Sequence, residues 1–379
     1  MAATRPQRAP ITSPAAATVF STVLTQGPVS RVEVGRRTGL SSAAITKAAR
    51  PFIDAGYLEE LASEERVGPG AGRPASPLAI RAEREFFVGV KITDDDLIGV
   101  VCDLRAQVRA TRHHPLTSTE VPDVVAALAE LVEELVGPYR DRTYCLGVAV
   151  SGDVDQVTGT VRYSPFLRWR DVPLGDLLAD ATGLAVRLEN DVKALTVAEQ
   201  WFGEGVGSRS FAVVTVGTGI GCALVVDGRL VAGAAGVAGE LGHVPVGGDQ
   251  PCHCGGKGCV EAIASTGAIV ARAGMPIDEA VARARAGDAT MRAVFAEAGH
   301  AIGLALAAMA NLIGPERIVV SGEGVAVYDL FSEHVRAAFS AQAFGAVADC
   351  ELIIRPLPFE EWARGAAAVS IQGLFHHHH

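Results

Sequence analysis

The sequence predicts an α/β body of two lobes preceded by a small winged helix-turn-helix module. Three observations carry this. The first 80 residues read as three short helices separated by Gly-containing turns and followed by two short strands. From residue 83 onward, apolar strands and amphipathic helices alternate in two successive halves, with glycine-rich turns at strand ends. Between the elements of the second half lies a Gly-rich stretch, Glu240 to Glu261, that concentrates two His, three Cys and two Glu. A chain of 379 residues is long enough for two or three domains, and 49% hydrophobic with 20% charged residues places it in the ordinary globular class. No apolar run of about 18 residues and no secretory signal are found, so a cytoplasmic protein with reduced thiols and no membrane partner is expected. His376 to His379 is a purification tag and is excluded.

Residues 1–14 hold three prolines and no periodicity, which predicts a flexible arm. The module is expected over 15–82. Ala16, Val19, Phe20, Val23 and Leu24 fall at helical spacing, and Gly27-Pro28 ends that helix. Ser30 and Glu33 have capping-box spacing for a second helix that stops near Gly39. Ser41 can cap a third, Ser42 to Arg50, which should kink or restart at Pro51. Tyr57 to Leu61 and Leu78 to Ile80 read as the strands of a wing. Such a module offers its third helix to a DNA major groove, which makes Ser41, Ser42, Thr46, Lys47 and Arg50 candidate contacts. The wing loop, with Gly72 and Arg73, has little side-chain bulk and could place Arg73 in a narrow minor groove; a flexible linker with a solvated arginine is the plainer alternative. Charge agrees with a polyanion partner for this module alone. Residues 1–80 hold nine Lys or Arg against six Asp or Glu, whereas the whole chain carries a net charge of -10.

The first lobe is expected over 83–190, completed by a C-terminal helix over 361–375, and the second over 191–360. Strands are read at Phe87 to Val90, Ile98 to Asp103, Gln107 to Thr111, Leu146 to Val150 and Ala185 to Leu188, with helices at Val121 to Val136, Leu174 to Ala179 and Val192 to Phe202. The second half reads as strands Phe211 to Val216, Cys222 to Val226, Ile318 to Val320 and Leu352 to Pro356. Its helices are expected near Ile277 to Ala286, Met291 to Gly299 and Ala301 to Leu312, and Ala366 to Leu374 closes the chain. Asp153, Asn190, Asp191 and the turn Gly217 to Gly221 all sit at strand ends, where ligands of α/β folds collect in a cleft.

Cys252-x-Cys254-x4-Cys259, beginning nine residues after His243, offers one imidazole and three thiolates, the ligand set of a closed structural zinc site. One structural Zn2+ per chain is expected. The other cysteines, Cys102, Cys145, Cys222 and Cys350, stand singly in apolar or mixed sequence and read as small buried residues.

Gly239-Glu240-Leu241-Gly242-His243, followed by Cys252-His-Cys254-Gly-Gly-Lys-Gly-Cys259-Val-Glu261, resembles the signature of the ROK family of sugar-responsive repressors and sugar kinases. The likeness extends over the winged helix, Glu189-Asn190-Asp191 and Gly217-Thr-Gly-Ile-Gly221. It implies an actin-like, hexokinase-like (ribonuclease H-like) two-lobed body with a sugar in the cleft, and sugar contacts at Asn190, Asp191, Glu240, His243 and Glu261. His243 could face zinc through one ring nitrogen and the sugar through the other.

Two positions depart from the family pattern. Ser164-Pro165-Phe166-Leu167 has a phenylalanine where sugar binders usually carry an asparagine. Where family kinases carry Asp-x-Gly-Gly-Thr-Lys, this chain has Lys91-Ile92-Thr93-Asp94-Asp95-Asp96, a run of carboxylates that should repel nucleotide phosphates. The expected function is therefore a ROK-type regulator, most simply a repressor without kinase activity, binding operator DNA as a homodimer or dimer of dimers and responding to a sugar. Two other readings stay open: an active sugar kinase with an added DNA-binding domain, and a DNA-binding protein with a vestigial pocket controlled by a partner protein.

Overall fold

A computed structural model of the chain describes residues 8–62 and 76–378, with side chains as far as Phe375. The chain divides into two compact units, one running to Val206 and taking back the segment from Trp362, the other spanning Gly207–Glu361. The sequence places this division at 190/191, before the helix that starts at Asp191. It falls later because that helix is built into the first unit, capped by Asn190 and buried from Asp191 to Glu199.

The first unit opens with α1 (Pro14–Gln26), whose predicted apolar stripe is buried in full, and α2 (Arg31–Thr38). Ser30 accepts the Glu33 amide, a cap worth about 1 kcal/mol. The Glu33 carboxylate turns to Arg36 and Arg37 instead, so only half of the capping box forms. α3 (Ser42–Asp54) continues through Pro51 without restarting. Proline in a helix interior costs on the order of 3 kcal/mol. Opposing this, Phe52 in the same turn is fully buried and stacks on Phe20 with ring centroids 4.5 Å apart. β1 (Leu58–Glu60) and β2 (Leu78–Ile80) pair antiparallel as the stem of the wing; Gly72 and Arg73 lie outside the described residues. The free arm expected at 1–14 is fastened from residue 8 onward. Arg8 donates to the buried carboxylate of Glu85, which also accepts the Tyr57 hydroxyl at 2.8 Å, so the arm supplies the counter-charge that a buried carboxylate requires.

Downstream come β3 (Phe86–Ile92), β4 (Asp96–Asp103), β5 (Val108–Pro115), α4 (Val121–Val136) and β6 (Thr143–Val150). A small sheet that the sequence did not announce follows: β7 (Asp153–Asp155), β8 (Thr160–Ser164) and β9 (Trp169–Val172), each too short to show a period. α5 (Leu174–Thr182), β10 (Ala185–Asn190) and α6 (Asp191–Phe202) complete the run. The main sheet has the order β10-β6-β3-β4-β5, with β3 parallel to β6 and antiparallel to β4. The C-terminal helix, Glu360–Gln372, lies against β3 and β6. A Cβ on Gly89 or Gly147 would meet the Ala363 or Ala366 carbonyl oxygen at 2.0 and 1.9 Å, so this approach requires glycine at both places.

In the second unit, β11 (Phe211–Val216), β12 (Ile220–Val226) and β13 (Arg229–Leu230) are followed by α7 (Val260–Ala264), α8 (Thr266–Ala273), α9 (Ile277–Arg285) and α10 (Ala289–Ile313). β14 (Arg317–Ser321), α11 (Ser332–Gln342) and β15 (Glu351–Ile354) close a sheet of order β13-β12-β11-β14-β15. α10 is one helix where the sequence suggests two separated near His300. Gly299 is no stop signal there: a Cβ on it would lie 2.6 Å from the Phe331 carbonyl oxygen, so it admits α11. By length and composition α10 could cross a membrane, but it is mostly buried in the core of this unit. Cys102, Cys145 and Cys222 are buried as expected, whereas Cys350 is only half-buried.

Candidate functional site

The segment from Leu241 to Val260 folds back on itself through paired backbone: the Val246 amide donates to Gly258, Gly258 to Gln250, and Cys252 to Gly256. This brings His243, Cys252, Cys254 and Cys259 together, with one ligand atom of each within 4.8 Å of the others. His243 Nδ1 lies 3.5 Å from Cys252 Sγ, and Cys254 Sγ lies 3.8 Å from Cys259 Sγ. Tetrahedral zinc with Zn–S near 2.3 Å and Zn–N near 2.0 Å gives edges of about 3.8 Å for S···S and about 3.5 Å for N···S. The residues therefore fit a tetrahedral cation. Burial pushes the Cys259 thiol up to about 12, while the Gly256 amide, donating to Cys254 Sγ, lowers that thiol. A cation would supply the charge that lets all three ionise. An overlapping set, His243, Cys252, His253 and Glu261, is equally close, but it exchanges two soft thiolates for an exposed imidazole and a carboxylate.

The second nitrogen of His243, Nε2, points away from the thiols toward Glu240, 3.9 Å from its carboxylate. Glu261, in the first turn of α7, accepts the Ile220 amide at 2.9 Å on one oxygen and faces His253 Nε2 at 2.6 Å with the other. The structure thus brings Glu240, His243 and Glu261 onto one short stretch of the second unit. It also adds His253, which the sequence reading passed over as a spacer between two cysteines.

Asn190 and Asp191 belong to the first unit, at the junction of β10 and α6. Asn190 is the cap of α6: its Oδ1 accepts the Lys193 amide, and its Nδ2 donates to Gly152. Asp191 is paired inside the protein. Lys91 Nζ lies 2.5 Å from Asp191 Oδ2 and 2.9 Å from Ser151 Oγ, and the Ser151 hydroxyl donates to the same carboxylate oxygen at 2.5 Å. The Val192 amide binds Oδ1. Lys91 and Asp191 are 6% and 8% exposed, and the Trp362 ring covers the ammonium at 5.6 Å. Burial works against ionisation of Asp191, but the Lys91 charge and these hydrogen bonds prevail and hold its carboxyl below the usual range. Next to it, burial pushes Glu189 up to about 7 against the Asn190 amide, Lys193 and Gln156.

The acidic run after Lys91 forms the tight turn between β3 and β4. Thr93 closes it, its amide donating to Asp96 O at 3.0 Å and its hydroxyl oxygen accepting the Asp96 amide at 2.8 Å. Asp94 and Asp95 are exposed, and Asp96 pairs with His113 Nδ1 at 2.9 Å. Phe166 is exposed in the turn between β8 and β9.

On α3 the buried face is Ile45, Ala48, Ala49 and Phe52, so Ser42, Thr46, Lys47 and Arg50 all point outward, with Ser41 exposed at the cap. Arg50 pairs with Asp54 at 3.0 Å, whereas Lys47 has no carboxylate partner among the described residues.

Lys91, Ser151 and His253 were missed as functional side chains. Lys91 carried a legible signal, since a lysine inside the apolar strand Phe-Phe-Val-Gly-Val-Lys-Ile must have a buried partner. The partner itself is 100 residues away and could not be read.

Comparison with known proteins agrees with this architecture. The ROK family model matches residues 87–372, and the chain belongs to the ROK family. Among its relatives, the DNA-binding transcriptional dual regulator NagC of Escherichia coli is 26% identical over 351 residues, covering 87% of this chain and 85% of that protein. A solved ROK family transcriptional regulator, a homolog of E. coli Mlc, superposes with a TM-score of 0.80 at 26% identity, over 95% of this chain and 96% of its own. A ROK glucokinase from Streptomyces griseus, solved with glucose and AMPPNP, gives 0.67 at 27% identity over 76% of this chain and 100% of its own.

Proposed function

We infer that this ROK-family chain is a transcriptional regulator, acting as a repressor that binds operator DNA through its winged helix-turn-helix module. The observation that carries this is the α3 face: four polar or basic side chains stand outward on a helix whose other face is locked into the module's core. The similarity to the family's solved regulator covers that module as well as the body, whereas the glucokinase similarity covers 76% of the chain. A homodimer would present two such helices to successive major grooves of a palindromic site. Thr46, Lys47 and Arg50, with Ser41 and Ser42 at the helix start and Gly72 and Arg73 in the wing, are the proposed contacts.

The effector is a sugar, and Asn190, Asp191, Glu240, His243 and Glu261 are its proposed hydroxyl-binding groups. Carboxylates fixed by backbone amides and imidazoles accept hydrogen bonds from hydroxyls at set positions, which is how such groups discriminate between hexoses. The Cys252, Cys254, Cys259 and His243 cluster holds one structural zinc, which would fix the loop that carries Glu240 and Glu261.

Phosphoryl transfer is not part of this function. A kinase would need Asp191 to take the proton of the attacking hydroxyl. Here Lys91 holds that carboxylate ionised and hydrogen-bonded, which makes it a weaker base, and the acidic turn at Asp94–Asp96 repels phosphates. The test is an operator titration with and without a panel of hexoses and N-acetylhexosamines. Unchanged affinity with every sugar would remove the induction claim, and ADP release with any sugar would restore the kinase reading.

A further inference from the structure

The Gly217-Thr218-Gly219-Ile220-Gly221 turn joins the antiparallel strands β11 and β12, and its glycines leave the backbone amides without side-chain cover, open to an anion. In this chain two of its amides are already taken by carboxylates. The Thr218 amide donates to Glu323 Oε1 at 2.6 Å, and the Ile220 amide donates to Glu261 Oε2 at 2.9 Å. Glu323 opens the short 3-10 helix that follows β14, in the run Ser321-Gly322-Glu323-Gly324. Both flanking glycines press on the end of β11: a Cβ on Gly322 or Gly324 would meet the Val216 carbonyl oxygen at 2.5 and 2.9 Å. That approach delivers the Glu323 carboxylate onto Gly217 itself, where a Cβ would lie 2.1 Å from Oε1.

We propose that Glu323 is a built-in anionic ligand of the Gly217–Gly221 turn, filling with its carboxylate the donor position that a nucleotide phosphoryl oxygen would occupy. A carboxylate and a phosphoryl group compete for the same amide hydrogens, and two anions cannot share them without close like-charge contact. The turn is therefore intact in sequence and closed in structure. This inference stands on the second unit alone and does not depend on the DNA-binding or sugar-binding reading.

The test uses the full chain as wild type, Glu323→Gln and Glu323→Gly, titrated calorimetrically with inorganic phosphate and with MgADP. The amide resonance of Thr218 is followed in parallel. Wild type is expected to show no saturable uptake. Glu323→Gly, with the donor vacated, is expected to bind both anions at least about tenfold more tightly than wild type, with Glu323→Gln between them. The Thr218 amide proton should move upfield in Glu323→Gln as its charged acceptor becomes neutral. That shift does not depend on whether the glycine variant folds. Equal MgADP binding by wild type and a folded Glu323→Gly, no binding by either, or an unmoved Thr218 resonance would each overturn the proposal. Operator affinity should be the same in all three proteins, which separates failure here from failure of the regulator reading.

Discussion

The rings of Phe375 and Phe20 stack with centroids 5.7 Å apart, joining the C-terminal end of the chain to the first helix of the helix-turn-helix module. Phe20 also stacks on Phe52 and meets Tyr57 edge-on, while Phe375 meets Trp201 at 5.1 Å. Trp201 is near the end of α6, the helix that begins at Asp191. The module therefore shares one hydrophobic core with the first lobe, and α6 runs from Asn190 and Asp191 to that core. Replacing Phe375 with Ala should cost about 3 kcal/mol, as large-to-small core changes do, and weaken operator binding with it. Denaturant unfolding and an operator titration check this; an unchanged midpoint would show that the contact carries no stability.

Removing the Lys91 ammonium leaves Asp191 buried without its counter-ion. Lys91→Met should destabilise the protein by about 3 to 5 kcal/mol at pH 7, whereas Lys91→Met with Asp191→Asn should recover much of the loss. The pH dependence reverses as well. In wild type the Asp191 carboxyl is lowered, so its contribution is present above the unfolded value near 3.8 and is lost as pH falls through the folded value. In Lys91→Met burial, the largest cause, is opposed only by the Ser151 and Val192 hydrogen bonds and raises it, so stability should improve on acidification. Denaturation curves from about pH 2 to 8 read both effects, and a Lys91→Met protein that weakens on acidification like wild type would refute the pairing.

Glu189 gives the opposite sign from Asp191 in the wild-type protein. Its carboxyl is raised from 4.5 to about 7, so its contribution is full below about 4.5 and is lost as pH rises through about 7. Glu189→Gln cannot ionise, so its stability relative to wild type should grow by up to roughly 3 kcal/mol between pH 5 and 8. Parallel stability profiles for the two proteins would contradict a raised carboxyl.

For the metal, one zinc per chain is expected by elemental analysis. Cys254→Ser should lower that content and abolish the sugar response, with the helix-turn-helix module still folded, because the cluster belongs to the second unit. Full zinc content in the variant would remove Cys254 from the ligand set.

On DNA, Lys47→Ala should weaken binding evenly across sequences and reduce the salt slope by about one, the signature of a single phosphate contact. Arg73→Ala should instead weaken operators with AT-rich flanks most. An equal loss on every operator would exclude minor-groove reading by Arg73.

Periodic and local features were legible in the sequence: the buried stripe of α1, the Ser30 cap, most strands of the two main sheets and the metal-ligand spacing all follow from residues close together in the chain. Pro51 and Gly299 misled for one reason. Each is a helix breaker by local preference, and each sits where packing, of Phe52 on Phe20 and of α11 on α10, overrides that preference.

By itself the sequence determined most strands of the two main sheets, the ROK signature and the set of candidate ligands, because these depend on residue type at short spacing. Tertiary structure alone decided which charges meet. Lys91 finds Asp191 across 100 residues, and Glu323 reaches Thr218 across 105. Both pairings depend on the register of neighbouring strands and the turns that leave them, and no local pattern encodes that register.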